Sequence, residues 1–99
     1  MLDFYFIKDD QPTPNFPEKL GLKFAGDLDD QTFYNLQNKG IIDKKLDYYS
    51  DFRLDRMTIH KMSQNILIKD LQSDSDVKKL SQLLETAERE KSGLIAYGD

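Results

Sequence analysis

A chain of 99 residues with 38% apolar and 32% charged side chains predicts one globular domain, long enough for a single modest core. It has no cysteine, which excludes a disulfide frame and a thiolate metal site and fits a reducing, cytoplasmic setting. The net charge is −4, and an acidic chain argues against nucleic acid as the main partner, because phosphate backbones recruit basic faces.

The acid excess is uneven. Residues 1–55 hold 11 acids against 7 bases, whereas residues 56–99 hold 7 of each. This points to a basic partner or to solubility. No window approaches the roughly 20 apolar residues of a membrane span. The opening "MLDFYFIKDD" lacks the basic flank and small-residue cleavage site of an export signal and reads as a first strand. Five tyrosines and six phenylalanines count against disorder.

In chain order, residues 2–8, "LDFYFIK", alternate Leu2, Phe4 and Phe6 against Asp3, Tyr5 and Ile7. Aromatic enrichment over a short run predicts a strand covered on both faces. Residues 9–17, "DDQPTPNFP", carry three prolines and predict an irregular loop. A second strand is expected over 21–28, with Leu22, Phe24 and Leu28 and a kink at Gly26. Residues 29–40 predict a short helix capped by Asp29 or Asp30, with Phe33 and Leu36 inward. Gly40 then supplies the left-handed residue that brings Ile41 against Leu36 in a Schellman ending.

A second helix is expected from about Asp55 to Leu71, with Ile59, Met62, Ile66 and Leu67 on its buried stripe. A third starts at Asp74 or Ser75, buries Val77, Leu80, Leu83, Leu84 and Ala87, pairs Glu85 with Arg89, and is closed by Gly93. "LIAYGD", 94–99, returns as a strand. The reading is one α+β domain over 1–99: a small three-stranded sheet covered by about three helices, in the order β-β-α-α-α-β.

Conventional chemistry is hard to assemble from these residues. The single histidine, His60, has no imidazole or thiolate partner for a zinc site or triad and reads as an ordinary helical residue. Asp27, Asp29 and Asp30 lack the distal bidentate Glu of a calcium loop and are better explained as helix caps. Asp74 and Asp76 have the same explanation. The five glycines lie too far apart to cradle phosphate. The expectation is a protein that is not an enzyme and uses no cofactor or metal.

Residues 43–56, "DKKLDYYSDFRLDR", set the largest rings inside the densest run of charge. Tyr and Arg are enriched where partners bind, which makes Asp47, Tyr48, Tyr49, Asp51, Phe52 and Arg53 the candidate partner-binding residues. If the segment begins a helix, Tyr48 and Phe52 share one face and Tyr49 and Arg53 the next. Rings turned into the core beside solvated charges are the other reading.

The strand-like start "MLDFYF", the acidic-aromatic centre "LDYYSDFR" and the close "GLIAYGD" together resemble small acidic bacterial immunity proteins of contact-dependent and other polymorphic toxin systems. The resemblance implies a stoichiometric inhibitor that binds one cognate, often basic, toxin domain. Acidic side chains would steer the encounter and aromatics would slow dissociation. The alternatives are a small structural or regulatory homo-oligomer or accessory subunit, and a metal-dependent hydrolase using clustered aspartates.

Overall fold

The computed structural model describes residues 1–15 and 21–98. Among the described residues, seven elements follow in chain order: β1 (Leu2–Ile7), β2 (Phe24–Leu28), α1 (Asp30–Asn38), β3 (Phe52–Leu54), α2 (Arg56–Ile68), α3 (Ser75–Arg89) and β4 (Gly93–Tyr97). The sheet is antiparallel with strand order β2-β1-β4-β3. The α+β class stands, but the predicted three-stranded sheet and β-β-α-α-α-β order do not. Residues Phe52–Leu54 form a fourth strand between α1 and α2, paired with Leu94–Ala96. Three residues are too few for alternation to register, and flanking aspartates disguise them as loop.

Register divides the sheet side chains between two faces. Phe4 pairs with Ala96, which in turn pairs with Phe52; Phe6 pairs with Leu94, which pairs with Leu54. These residues, with Leu2 and Leu28, face the helices and join one core with Phe33, Leu36, Ile59, Ile66 and the α3 stripe. All five predicted α3 residues, Val77, Leu80, Leu83, Leu84 and Ala87, are buried. Burial of each large aliphatic side chain contributes about 1.5–3 kcal/mol. α3 is the keystone, touching α1, α2, β2 and β4.

The opposite face carries Tyr5, Ile7, Ile95 and Tyr97 around Arg53. Arg53 donates to the Gln11 carbonyl at 2.7 Å, the Thr13 hydroxyl at 3.1 Å and the Lys8 carbonyl at 3.0 Å. Tyr97 donates to the Pro14 carbonyl at 3.1 Å. The irregular segment after β1 is thereby held to this face, and Ile7 and Ile95 are buried. Residues 16 and 17 of the predicted loop and the final Asp99 lie outside the described residues.

Each helix begins at an aspartate whose carboxylate accepts first-turn amides: Asp29 for α1, Asp55 for α2 and Asp74 for α3. Each ends in a Schellman turn. For α1 it is the predicted one: Gly40 has φ of 74°, and the Ile41 amide donates to the Leu36 carbonyl at 2.9 Å. α2 and α3 reach the left-handed position with Asp70 and Lys91 instead. Gly93 therefore does not close α3. It lies in β4, where an added Cβ would come within 2.6 Å of the Leu54 carbonyl oxygen. Leu67 also departs from its predicted place: it is exposed, because α2 buries only Ile59 and Ile66 fully and half-buries Met62.

Candidate functional site

The segment before β3 is shaped by short-range hydrogen bonds. Asp47 accepts the Tyr49 amide at 3.0 Å and the Ser50 hydroxyl at 3.4 Å, while the Ser50 amide donates to the Asp47 carbonyl at 3.1 Å. This is an Asx-type turn, for which a short carboxylate is suited. From α1, the Gln37 side-chain amide donates to the carbonyls of Leu46 and Asp43 at 2.8 and 3.1 Å. The C-terminal end braces the other side: the Gly98 amide donates to Asp51 at 3.1 Å. A Cβ at Gly98 would approach the Tyr49 carbonyl carbon to 2.5 Å, so only glycine fits there without a shift.

The turn sends two neighbouring rings in opposite directions. Tyr48 is buried, 5.6 Å from Phe33 between ring centroids. Tyr49 is 58% exposed and stands edge-on to Tyr48 at 5.1 Å. Tyr34 of α1 approaches Tyr48 to 6.1 Å and remains 42% exposed. Two outward tyrosines thus flank an inward one that is anchored in the core, an arrangement that fixes exposed rings at low entropic cost.

Of the six residues predicted from sequence, Asp47, Tyr49 and Asp51 reach solvent. Tyr48 belongs to the core. Phe52 is half-buried in β3, edge-on to Phe4 at 6.2 Å. Arg53 points to the far face of the sheet, where its guanidinium is engaged by three acceptors. The helical pairing of Tyr48 with Phe52 and of Tyr49 with Arg53 does not form, because these residues adopt a turn and a strand. Tyr34 was missed. Its outward position is readable from its place beside the Phe33–Leu36 stripe, but its proximity to Tyr49 is a tertiary fact.

Asp30, Asp47 and Asp51 are all exposed. Among the described residues, none of them forms an ion pair, and neither do the exposed Lys44 and Lys45. The Tyr34 hydroxyl is pushed above its ordinary pKa, first by partial desolvation and then by Tyr49, Asp47 and Asp30. Tyr34 therefore shares a surface with Tyr49 and with carboxylates that carry no ion pair among the described residues.

Other charged stretches are occupied with folding. Asp29, Asp55 and Asp74 titrate below the usual carboxylate value: hydrogen bonds from Thr32 and Thr58 stabilise the first two anions, and Lys39 leads for the third. Among the described residues no group of three or more His, Asp or Glu is placed to hold a metal, and no helix is long and apolar enough to cross a membrane. His60 is exposed beside a surface hollow of about 540 Å³ lined also by Asp9, Arg56, Met57 and Glu88. A groove of about 410 Å³ between α2 and α3 is lined by Ile66, Leu67, Lys78, Gln82 and Glu85 among others. Both hollows mix charges of the two signs.

No protein-family model, curated protein or solved structure matches the chain.

Proposed function

We propose that this chain is a non-enzymatic protein-binding module of the bacterial immunity type, acting in the cytoplasm by occupying a basic toxin domain. The observation that supports it is the corner formed by Tyr34 and Tyr49 with Asp30, Asp47 and Asp51. Exposed tyrosines held rigidly above a core ring give contact area and a hydrogen-bonding tip at little ordering cost, the features of binding hot spots. Unpaired acids around them accelerate encounter with a cationic surface, while the rings slow its release.

Co-expression with the product of the adjacent gene tests this reading. That product should arrest growth alone and be neutralised by this chain. Tyr49→Ala should weaken the complex by about 2 kcal/mol or more while leaving the melting temperature nearly unchanged. Absence of a toxic neighbour, or full protection by a Tyr34→Ala/Tyr49→Ala double variant, counts against it.

A second reading, self-assembly, is favoured by one feature: the outermost strand β2 presents Phe24, 52% exposed and edge-on to Tyr5 at 5.5 Å. Exposed edges of this kind pair with further strands. Light scattering on the isolated chain separates the two, since a stable oligomer favours self-assembly and a monomer the antidote.

A further inference from the structure

The binding reading leaves the chemistry of the bound group open, and the corner constrains it. Asp47 and Asp51 each accept a backbone amide, from Tyr49 and Gly98, and Asp30 accepts that of Gln31 at 2.8 Å. These bonds fix the carboxylates without using up their lone pairs, of which each ionised group has about four. An apolar side chain set here would desolvate carboxylates and return nothing. A phosphate or carboxylate would meet like charge. A cation is what remains.

Between the two protein cations, the rings discriminate. An ammonium is a strongly hydrated point charge that gains from carboxylates almost wherever it sits. A guanidinium is planar and weakly hydrated, stacks on an aromatic face, and donates in the same plane to carboxylate oxygens. Exposed Tyr34 and Tyr49, each in ring contact with Tyr48 and near carboxylates that carry no ion pair among the described residues, offer both faces and acceptors. The exposed apolar residues of α2, Met57, Leu67 and Ile68, lie on a surface of mixed sign and show no such complementarity.

Resting on the binding reading above, we propose that the Tyr34–Tyr49 corner is an arginine receptor: a partner's guanidinium packs against the two rings and is held by Asp47, with Asp30 and Asp51 supplying the surrounding negative field. The partner surface it fits is an arginine-bearing basic loop or helix, the kind of surface that nucleic-acid-binding enzymes present to phosphate.

The test uses two probes, an octa-arginine and an octa-lysine peptide, titrated into the full-length ¹⁵N-labelled chain at low and moderate salt. Octa-arginine should shift the amides of Tyr34, Asp47 and Tyr49 and bind about tenfold more tightly than octa-lysine. Tyr34→Leu/Tyr49→Leu should erase that preference while retaining residual, salt-sensitive binding. Asp47→Asn should weaken both peptides. Equal binding of the two peptides, or arginine shifts centred elsewhere, overturns the inference. So does a double variant with a dispersed native spectrum and unchanged preference. Equal binding of the two peptides by the unsubstituted chain, with toxin protection still dependent on Tyr49, removes the arginine receptor alone. Intact preference with protection indifferent to both tyrosines supports the receptor chemistry and removes the antidote role.

Discussion

Lys39 and Asp47 both stand in charge-dense surroundings, but one cluster is closed on itself and the other is open. Where α1 and α2 end and α3 begins, Lys39 bridges Asp74 at 2.6 Å and Asp76 at 3.3 Å. Asn35 donates to Asp76 at 3.0 Å, Lys69 to the Lys39 carbonyl at 3.2 Å, and Asn65 to the Gly40 carbonyl at 3.0 Å. Both carboxylates there meet the Lys39 ammonium, and carbonyls at the α1 terminus have donors. At the corner, Asp30, Asp47 and Asp51 have amides but no cation among the described residues. The first cluster ties three helices together; the second leaves a field directed outward. Charge density alone does not distinguish a structural cluster from a binding surface. What separates these two clusters is internal neutralisation.

The contrast between inward and outward side chains gives the largest expected effect. Tyr48→Ala should cost about 3–5 kcal/mol in urea unfolding, as for other buried rings, whereas Tyr49→Ala should stay within about 0.5 kcal/mol. Comparable losses from both would mean that the exposed ring supports the fold. Gly98→Ala forces the 48–50 turn to move and should cost about 1–3 kcal/mol, with amide shifts concentrated at Tyr48, Tyr49 and Asp51. Arg53→Ala should cost about 1–2 kcal/mol through lost hydrogen bonds, unlike a free interface arginine, and should loosen the segment around Gln11 and Thr13 in hydrogen exchange.

Titration sharpens the comparison between the clusters. Asp74 is lowered, chiefly by Lys39, so its contribution is present above the ordinary carboxylate value and lost as pH falls through the folded value. Lys39 is raised, chiefly by Asp74, so its contribution is present below the ordinary lysine value and lost as pH rises through the folded one. Lys39→Met should therefore flatten stability at both ends of the pH range, and Lys44→Met should do neither. The smallest effect is at the corner. Ultraviolet titration should find Tyr34 ionising later than a free tyrosine, and Asp47→Asn should bring it part of the way back.

Helices were legible in the sequence because their signals are local and redundant. Asp29, Gly40 and Ile41 specify both ends of α1, and the α3 stripe repeats over about three turns. β3 was not legible: its three residues acquire a strand's geometry only by pairing with β4, whose partners Leu94–Ala96 lie far along the chain. The same non-local pairing decides the site. It turns Arg53 to the far face and brings Gly98 beneath the 48–50 turn, while Tyr34 and Tyr49 both meet the Tyr48 ring. Whether each ring of the 47–53 segment faces in or out depends on contacts that no short window contains.

Hydroxyl-radical footprinting of this protein, alone and bound to a toxin domain of the kind proposed above, addresses the central claim most directly. Binding should protect Tyr34 and Tyr49 while Met57, Leu67 and Ile68 on α2 keep their free-state labelling. Protection of the α2 residues with both tyrosines still fully reactive would contradict it.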